Sequence, residues 1–327
     1  MSDCAFSISS ILQAHRRITS FVRHTPLIYS PYLSASTGAK VWLKAECWQP
    51  TGSFKVRGAL NKVALLVEAQ GAKLPGIVTA SAGNHGLGVA YAARSLKLDA
   101  ATVFVPGNAP RAKVEKMRHL GVNVHLVGSR YEDAHQRGEQ FARDTGAIYV
   151  SAYDDVDVVG GQATIALEVL QDRPQTDLIL VPVGGGGMIA GMAVAARALS
   201  PRCQVIGVQP EASPAALYSL RDGVAYDPYD HGPTIADGLA GGFGKVPLEI
   251  AGALIEQIVL ASEWELRKAI FTLVDRHQLV VEASGAISIV PLLNQSVDVA
   301  GKRVVCVLSG GNIETTLLRD ILIEFGG

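Results

Sequence analysis

Between residues 76 and 151 the chain switches repeatedly between short apolar runs and amphipathic stretches of helical period. Strands are expected at Gly76–Ala80, Ala101–Val105, Val122–Leu126 and Ala147–Ser151, and helices at Gly86–Leu96, Pro110–Leu120 and Tyr131–Asp144. Strand, helix, strand in this rhythm is the signature of a parallel sheet with crossover helices. A second alternating set follows, with helix Gln162–Gln171, strand Leu178–Pro182, helix Met188–Leu199 and strand Gln204–Val208. It closes with helices Glu263–His277 and Gly285–Leu293 and strand Arg303–Leu308. Ahead of both sets, the pattern predicts helix Ser9–Val22, stopped by His24-Thr25-Pro26, then strand Val41–Glu46 and helix Phe54–Gln70. The Pro- and Tyr-rich stretch Ala225–Pro233 reads as loop. The expected class is α/β, with two parallel-sheet domains.

Composition narrows the function classes. The 327 residues suit two domains, and 48% apolar against 18% charged residues describes a large core rather than a disordered chain. With 29 Lys plus Arg against 30 Asp plus Glu, no basic excess exists for a phosphate backbone or an acidic bilayer, so no nucleic-acid or membrane partner is expected. Cys4, Cys47, Cys203 and Cys306 form no CxxC pair and read as reduced, buried thiols of a cytoplasmic protein. The N-terminus lacks the basic start and apolar run of a secretory signal. Leu178–Ala196 is uncharged and about long enough to span a bilayer, but Pro182 and four consecutive glycines would break a lipid-exposed helix. A buried strand, a glycine loop and a buried helix are expected there instead.

Four loops carry chemistry, and three of them follow a strand and open a helix, where open α/β sheets bind ligands. VPVGGGGMIAG, Val181–Gly191, can aim successive backbone N–H groups and a helix N-terminus at one anion, and phosphate is the natural guest. Its bland alternative is a tight packing turn; it is not a clean GxGxxG dinucleotide motif. TASAGNHGLG, Thr79–Gly88, places Ser81, Asn84 and His85 on a loop opening a helix, which suits a carboxylate or is merely a capped helix start. In TGSFKVRGA, Thr51–Ala59, Lys55 is flanked by Gly52 and Gly58; alone it would more often be a solvated lysine. VLSGGN, Val307–Asn312, puts Ser309 at a strand's carboxyl end, or forms an ordinary turn. Taken together, a phosphate cradle, a carboxylate loop and a lysine suit a phosphorylated carbonyl cofactor acting on an amino acid.

The ordered series KAECWQPTGSFKVRGA, SAGNHG, YDD…GGQATIALE, VPVGGGGMIAG, TIADGLA, VVEASGA and LSGGN resembles the fold-type II (tryptophan synthase β-like) pyridoxal-phosphate enzymes. Within them it is most similar to the serine/threonine dehydratase and serine racemase branch, over nearly the whole chain. The resemblance implies pyridoxal 5'-phosphate as cofactor and Lys55 as its Schiff-base lysine and catalytic base. Phe54 would lie against the pyridine ring, Asn84 would bond its 3-hydroxyl, and Ser309 would face its nitrogen. Gly184, Gly185, Gly186 and Gly187, with Met188, would cradle the phosphate. Gly238 would line the cofactor and Glu282 would sit near the ring, while Ser81, Asn84 and His85 would hold the substrate carboxylate. The implied reaction is β-elimination from a β-hydroxy L-amino acid such as threonine or serine, giving a 2-oxo acid and ammonia. The implied domains are residues 1–72 and 148–327, binding cofactor, and a small mobile domain of residues 73–147 that closes over the substrate. The implied assembly is a homodimer. The short stretch after Asn312 leaves no room for a C-terminal regulatory domain, so feedback control of that kind is not expected.

The chain departs from the branch at several points: Leu87 stands for a frequent Gln, Ala163 and Ala283 for a usual Gly and Pro. Members that bind a divalent cation carry carboxylates where this chain has Gln209 and Ala215, so no metal is expected. The racemases carry a serine where this chain has Ala82, so racemisation is not expected. Alternatives are a serine or hydroxyaspartate racemase/dehydratase, a β-replacement enzyme of cysteine synthase type, and a non-catalytic binding protein. Ala82 and His85 fit the dehydratase side, and Lys55, Ser309 and the four glycines argue against a non-catalytic role.

Overall fold

The computed structural model describes residues 6–109 and 111–326. Its strands are β1 Leu27–Tyr29, β2 Lys40–Lys44, β3 Ile77–Ala80, β4 Ala101–Val105, β5 Asn123–Leu126, β6 Ile148–Tyr149, β7 Leu178–Pro182, β8 Gln204–Pro210, β9 Gln257–Ala261 and β10 Arg303–Val307. They form two sheets. The larger has the order β1-β2-β10-β7-β8-β9 and the smaller the order β5-β4-β3-β6. Every pairing is parallel except that of β1 with β2. Strand residues alternate between faces, so Leu178, Leu180, Val304 and Cys306 join one apolar layer of the large sheet while Ile179, Val181, Val305 and Val307 join the other.

Some elements differ from the sequence pattern. β1 and β9 are edge strands that periodicity does not separate from loop. The helices Pro31–Thr37, Ala215–Asp222, Lys245–Ala251 and Thr315–Gly326 are additions to the expected set. The helix predicted from Gln162 starts six residues earlier, at Val156, capped by Asp155, whose carboxylate accepts from the N–H groups of Asp157 and Val158 at 2.8 and 3.2 Å. The stretch Gly285–Leu293 is broken into α-helix Ala283–Ala286, a 3₁₀ turn Ile287–Ile289 and α-helix Val290–Leu293, with Pro291 in the first turn of the last piece. Pro110, the predicted start of the helix seen at Arg111–His119, and Cys4 lie outside the described residues. Cys47, Cys203 and Cys306 are free and buried. Leu178–Ala196 forms β7, a glycine loop and part of helix Gly187–Leu199; no described helix is long and apolar enough to cross a membrane. Among the described residues, no cluster of three or more His, Cys, Asp or Glu side chains is placed to hold a metal ion. The Gln209 amide oxygen instead accepts from the N–H groups of Ala216 and Leu217, at the start of helix Ala215–Asp222.

Three helices meet behind the lysine loop with almost no side-chain spacer. A methyl on Gly161 would lie 2.5 Å from the Arg57 carbonyl oxygen, and one on Gly191 would lie 2.6 Å from that of Val159. Helices Lys55–Gln70, Val156–Asp172 and Gly187–Leu199 therefore touch backbone to backbone.

The same region buries four charges. The Arg57 guanidinium forks onto Glu46 (2.8 and 2.8 Å) and onto Glu168 (2.7 and 2.8 Å). Lys44 Nζ donates to Glu168 at 2.6 Å and to the Thr25 carbonyl at 2.7 Å. Burial pushes the Glu46 carboxyl up, but Arg57, Lys44 and the Thr25 hydroxyl outweigh it and hold it below its ordinary value. Arg57→Leu would leave Glu46 buried without a cation and Glu168 with Lys44 alone. We expect a loss of about 3–5 kcal/mol in unfolding free energy, read from the midpoint of a urea titration.

Candidate active site

The carboxyl ends of β3, β7 and β10 and the start of helix Lys55–Gln70 open onto one cavity of about 470 Å³. Phe54 is tied to β10's end by its N–H, which donates to the Ser309 carbonyl at 3.0 Å, and Gly311 donates to Gly52 at 2.9 Å. These bonds bring the lysine loop and the serine loop together.

All the residues expected to hold the cofactor or the substrate carboxylate line this cavity. Lys55 points its amine at the Ala152 carbonyl, 3.0 Å away, with Nζ 5.3 Å from the centre of the Phe54 ring. Loss of solvent around the amine lowers it to about 8. Gly184, Gly185, Gly186, Gly187 and Met188 form the wall below it. Gly186 holds φ at +91°, and a methyl on Gly185 or Gly186 would enter the ring of Tyr153 or Phe243. Among the described residues no backbone carbonyl accepts from the N–H groups of these five, so an unfilled set of donors sits at the N-terminus of helix Gly187–Leu199.

A second loop with free backbone donors runs from Ser81 into helix Asn84–Ser95. Ser81 Oγ accepts from the Gly83 N–H at 3.2 Å, leaving the N–H groups of Asn84 and His85 without a backbone acceptor. The His85 ring is buried, its Nε2 3.0 Å from the Val150 carbonyl, which can only accept; Nε2 therefore carries the hydrogen. Burial and the Lys55 amine push this imidazole down to about 3, so it is neutral at any working pH. Its bare Nδ1 has no partner and offers nothing to an anion. His85 can serve a carboxylate through its backbone alone.

On the far side Asn84 donates to Glu282 at 2.6 Å and accepts from Asn312 at 2.8 Å; Asn312 is anchored on the Thr51 carbonyl at 2.9 Å. Ser309 Oγ, buried, donates to the Ser284 carbonyl at 3.1 Å, and Ser284 Oγ accepts from the Gly238 N–H at 3.0 Å. Burial and the Asp237 carboxylate push Glu282 up to about 7, against the pull of Lys113 and the Asn84 amide.

Sequence reasoning misses several lining residues. Tyr153 packs under the glycines and donates to Asp227 at 2.9 Å, yet in the sequence it stands out only as part of a YDD run. Asp227 lies in the stretch that reads as loop, and Lys113 and Asp237 also line the cavity. Asp237 falls within the TIADGLA motif without being singled out, and the only signal of Lys113 is charge in an ordinary segment.

Glu282 ties proton uptake to stability. Its folded value lies above the ordinary 4.5, so between about pH 4.5 and 7 the folded state holds a proton that the unfolded state has lost, and stability falls as pH rises through that window. Glu282→Gln removes this dependence. The stability gained by the variant over wild type should grow from pH 4.5 to 7 and then level, as measured by denaturant titration at each pH.

Comparison with known proteins shows the chain's family. The profile of a family described as pyridoxal-phosphate dependent enzyme matches residues 18–310. The chain is 40% identical over 317 residues to the L-threonine ammonia-lyase of Thermotoga maritima, covering 97% of this chain and 78% of that one. It superimposes on a T.th. threonine deaminase with a TM-score of 0.87 and 34% identity, over 94% of this chain and 99% of the other. It also superimposes on a pyridoxal 5'-phosphate-dependent aspartate racemase with a TM-score of 0.90 and 31% identity, over 97% of this chain and 99% of the other.

Proposed function

Because the chain belongs to the family of pyridoxal-phosphate-dependent enzymes, we propose that it catalyses β-elimination of a β-hydroxy L-amino acid such as threonine or serine, with release of a 2-oxo acid and ammonia. The observation that carries this reading is the pairing, in one cavity, of a lysine amine lowered to about 8 with two separate sets of free backbone donors. One set suits the cofactor phosphate and the other the substrate carboxylate.

The residues fit the cofactor. A Cβ at Gly185 or Gly186 would collide with an aromatic ring, and the donors of Gly184 to Met188 need a multivalent acceptor such as a phosphate. In this reading Lys55 would hold the aldehyde, Phe54 would lie against the ring, Asn84 would bond the 3-hydroxyl, and Ser309 would face the ring nitrogen, with Gly238 and Glu282 beside it. When bound, the cofactor supplies the electron sink for the pair left at Cα.

The chain's own groups do the rest. The N–H groups of Asn84 and His85, with the Ser81 hydroxyl, hold the substrate carboxylate and so fix which Cα bond faces Lys55. Lys55 Nζ takes the Cα proton; an amine near 8 is partly unprotonated at neutral pH and still basic enough to accept it. Ser309 brings no charge to the ring nitrogen, which favours elimination over transamination. Ala82 also lines the cavity, and its methyl can neither accept nor donate a proton, so no hydroxyl stands there to reprotonate Cα. The four-stranded sheet is built separately from the six-stranded one, which supports a mobile unit of about residues 73–147 closing over substrate, although β6 carries that sheet past the expected bound to Tyr149. A cytoplasmic homodimer completes the reading.

Lys55→Ala should lower 2-oxo acid release from L-threonine and L-serine by about 10³-fold or more, and borohydride should no longer fix the cofactor to the chain. Normal turnover by this variant would sink the assignment. Wild type incubated with L-serine should form pyruvate with D-serine far behind it on chiral chromatography, and Ala82→Ser should raise the D-serine fraction. Comparable rates of D-serine and pyruvate formation by wild type would return the racemase reading.

A further inference from the structure

Two charged side chains that the reaction does not use meet across the mouth of the cavity. Lys113 stands on helix Arg111–His119, beside the four-stranded sheet, and Asp237 on the 3₁₀ turn Asp237–Leu239 that follows the 225–233 loop. Lys113 Nζ lies 3.3 Å from Asp237 Oδ2, with the lysine side chain 12% exposed and the aspartate 68% exposed. Lys55 and Lys113 are the only Lys or Arg side chains lining the cavity among the described residues, whereas Glu132, Asp227, Asp237 and Glu282 all line it. The two ends of the pair act on the same buried neighbour, Asp237 raising and Lys113 lowering the Glu282 carboxyl, so both fields reach the interior.

An unpaired ammonium in this place would be a ready counter-ion for a second carboxylate on the substrate. Here it is already neutralised. An incoming side-chain carboxylate would have to displace Asp237 from Lys113 while lying close to its charge, and the other acids of the cavity offer it no compensation. An uncharged hydroxymethyl or hydroxyethyl side chain meets no such penalty.

We propose that the Lys113–Asp237 pair is a specificity gate that admits β-hydroxy amino acids with uncharged side chains and turns away those with a second carboxylate, such as 3-hydroxyaspartate. The substrate class named here rests on the β-elimination reading above. Asp237 is the excluding element and Lys113 the cation it masks.

The test compares kcat/KM for L-serine and L-threo-3-hydroxyaspartate in the cofactor-loaded wild type, Asp237→Asn and Asp237→Asn/Lys113→Met. In parallel, calorimetry measures binding of L-alanine and L-aspartate, which carry no β-hydroxyl to eliminate. Wild type should favour L-serine. Asp237→Asn should shift both the kcat/KM ratio and the affinity ratio toward the dicarboxylate by about tenfold or more, and adding Lys113→Met should abolish the shift. A wild type that uses 3-hydroxyaspartate as well as L-serine, or an Asp237→Asn variant with unchanged ratios, overturns the gate. If wild type eliminates from neither substrate, the elimination reading fails, and the L-aspartate to L-alanine affinity ratio still decides whether the gate exists.

Discussion

Arg57 is the point from which the catalytic end of the molecule is hung. Its guanidinium presents two parallel pairs of donors, and both are taken by carboxylates from different parts of the chain, Glu46 after β2 and Glu168 near the end of helix Val156–Asp172. With Lys44 the four charges sum to zero. Desolvation of such a cluster cancels much of its attraction, so it is weak as a source of net stability. What it does provide is geometry. A planar fork matched to two carboxylates tolerates little displacement, and Arg57 is two residues from Lys55. A lysine would keep the charge and lose the fork.

The arrangement on the other side of the site is softer. Glu282, Asn84 and Asn312 form a chain of side-chain hydrogen bonds that ends on the Thr51 carbonyl, in the lysine's own loop. The amide of Asn84 is oriented by having a donor at one end and an acceptor at the other, so whatever Asn84 touches in the cavity inherits an orientation set by residues far away in sequence. Among the described residues Glu282 has no cation within hydrogen-bond reach, and burial together with the Asp237 carboxylate raises it to about 7. The two flanks of the cavity thus differ in kind, one held by fully compensated charges and the other by a chain of amide hydrogen bonds ending on a carboxyl with a raised pKa.

Much of this is legible in the sequence. The strands 101–105 and 178–182 and the helix 263–277 fall where periodicity puts them, because long, regular, buried elements leave the clearest pattern. Every loop singled out for its glycines, its lysine or its serine opens on the same cavity. What is not legible depends on contacts between distant segments. β9 is a plain apolar run whose strand character comes from pairing with β8. The first turns of helix Val156–Asp172 are hidden by Gly160 and Gly161, which argue against a helix unless another backbone must pass there. Tyr153, Asp227, Lys113 and Asp237 take their significance from neighbours 74 to 124 residues away, which no local spacing encodes.

The bare crossing of three helices behind the lysine has a consequence for how the protein can be changed. Glycine inside a helix weakens it by roughly 1 kcal/mol relative to alanine, and replacing it is an ordinary route to a hardier protein. At Gly58, Gly161 and Gly191 that route is closed, because the added methyl group would have to push two helical backbones apart. Engineering for heat resistance must therefore leave these helix interiors alone and work on outer surfaces and loops, and the protein carries their poor helix propensity as a permanent condition of keeping its lysine where it is.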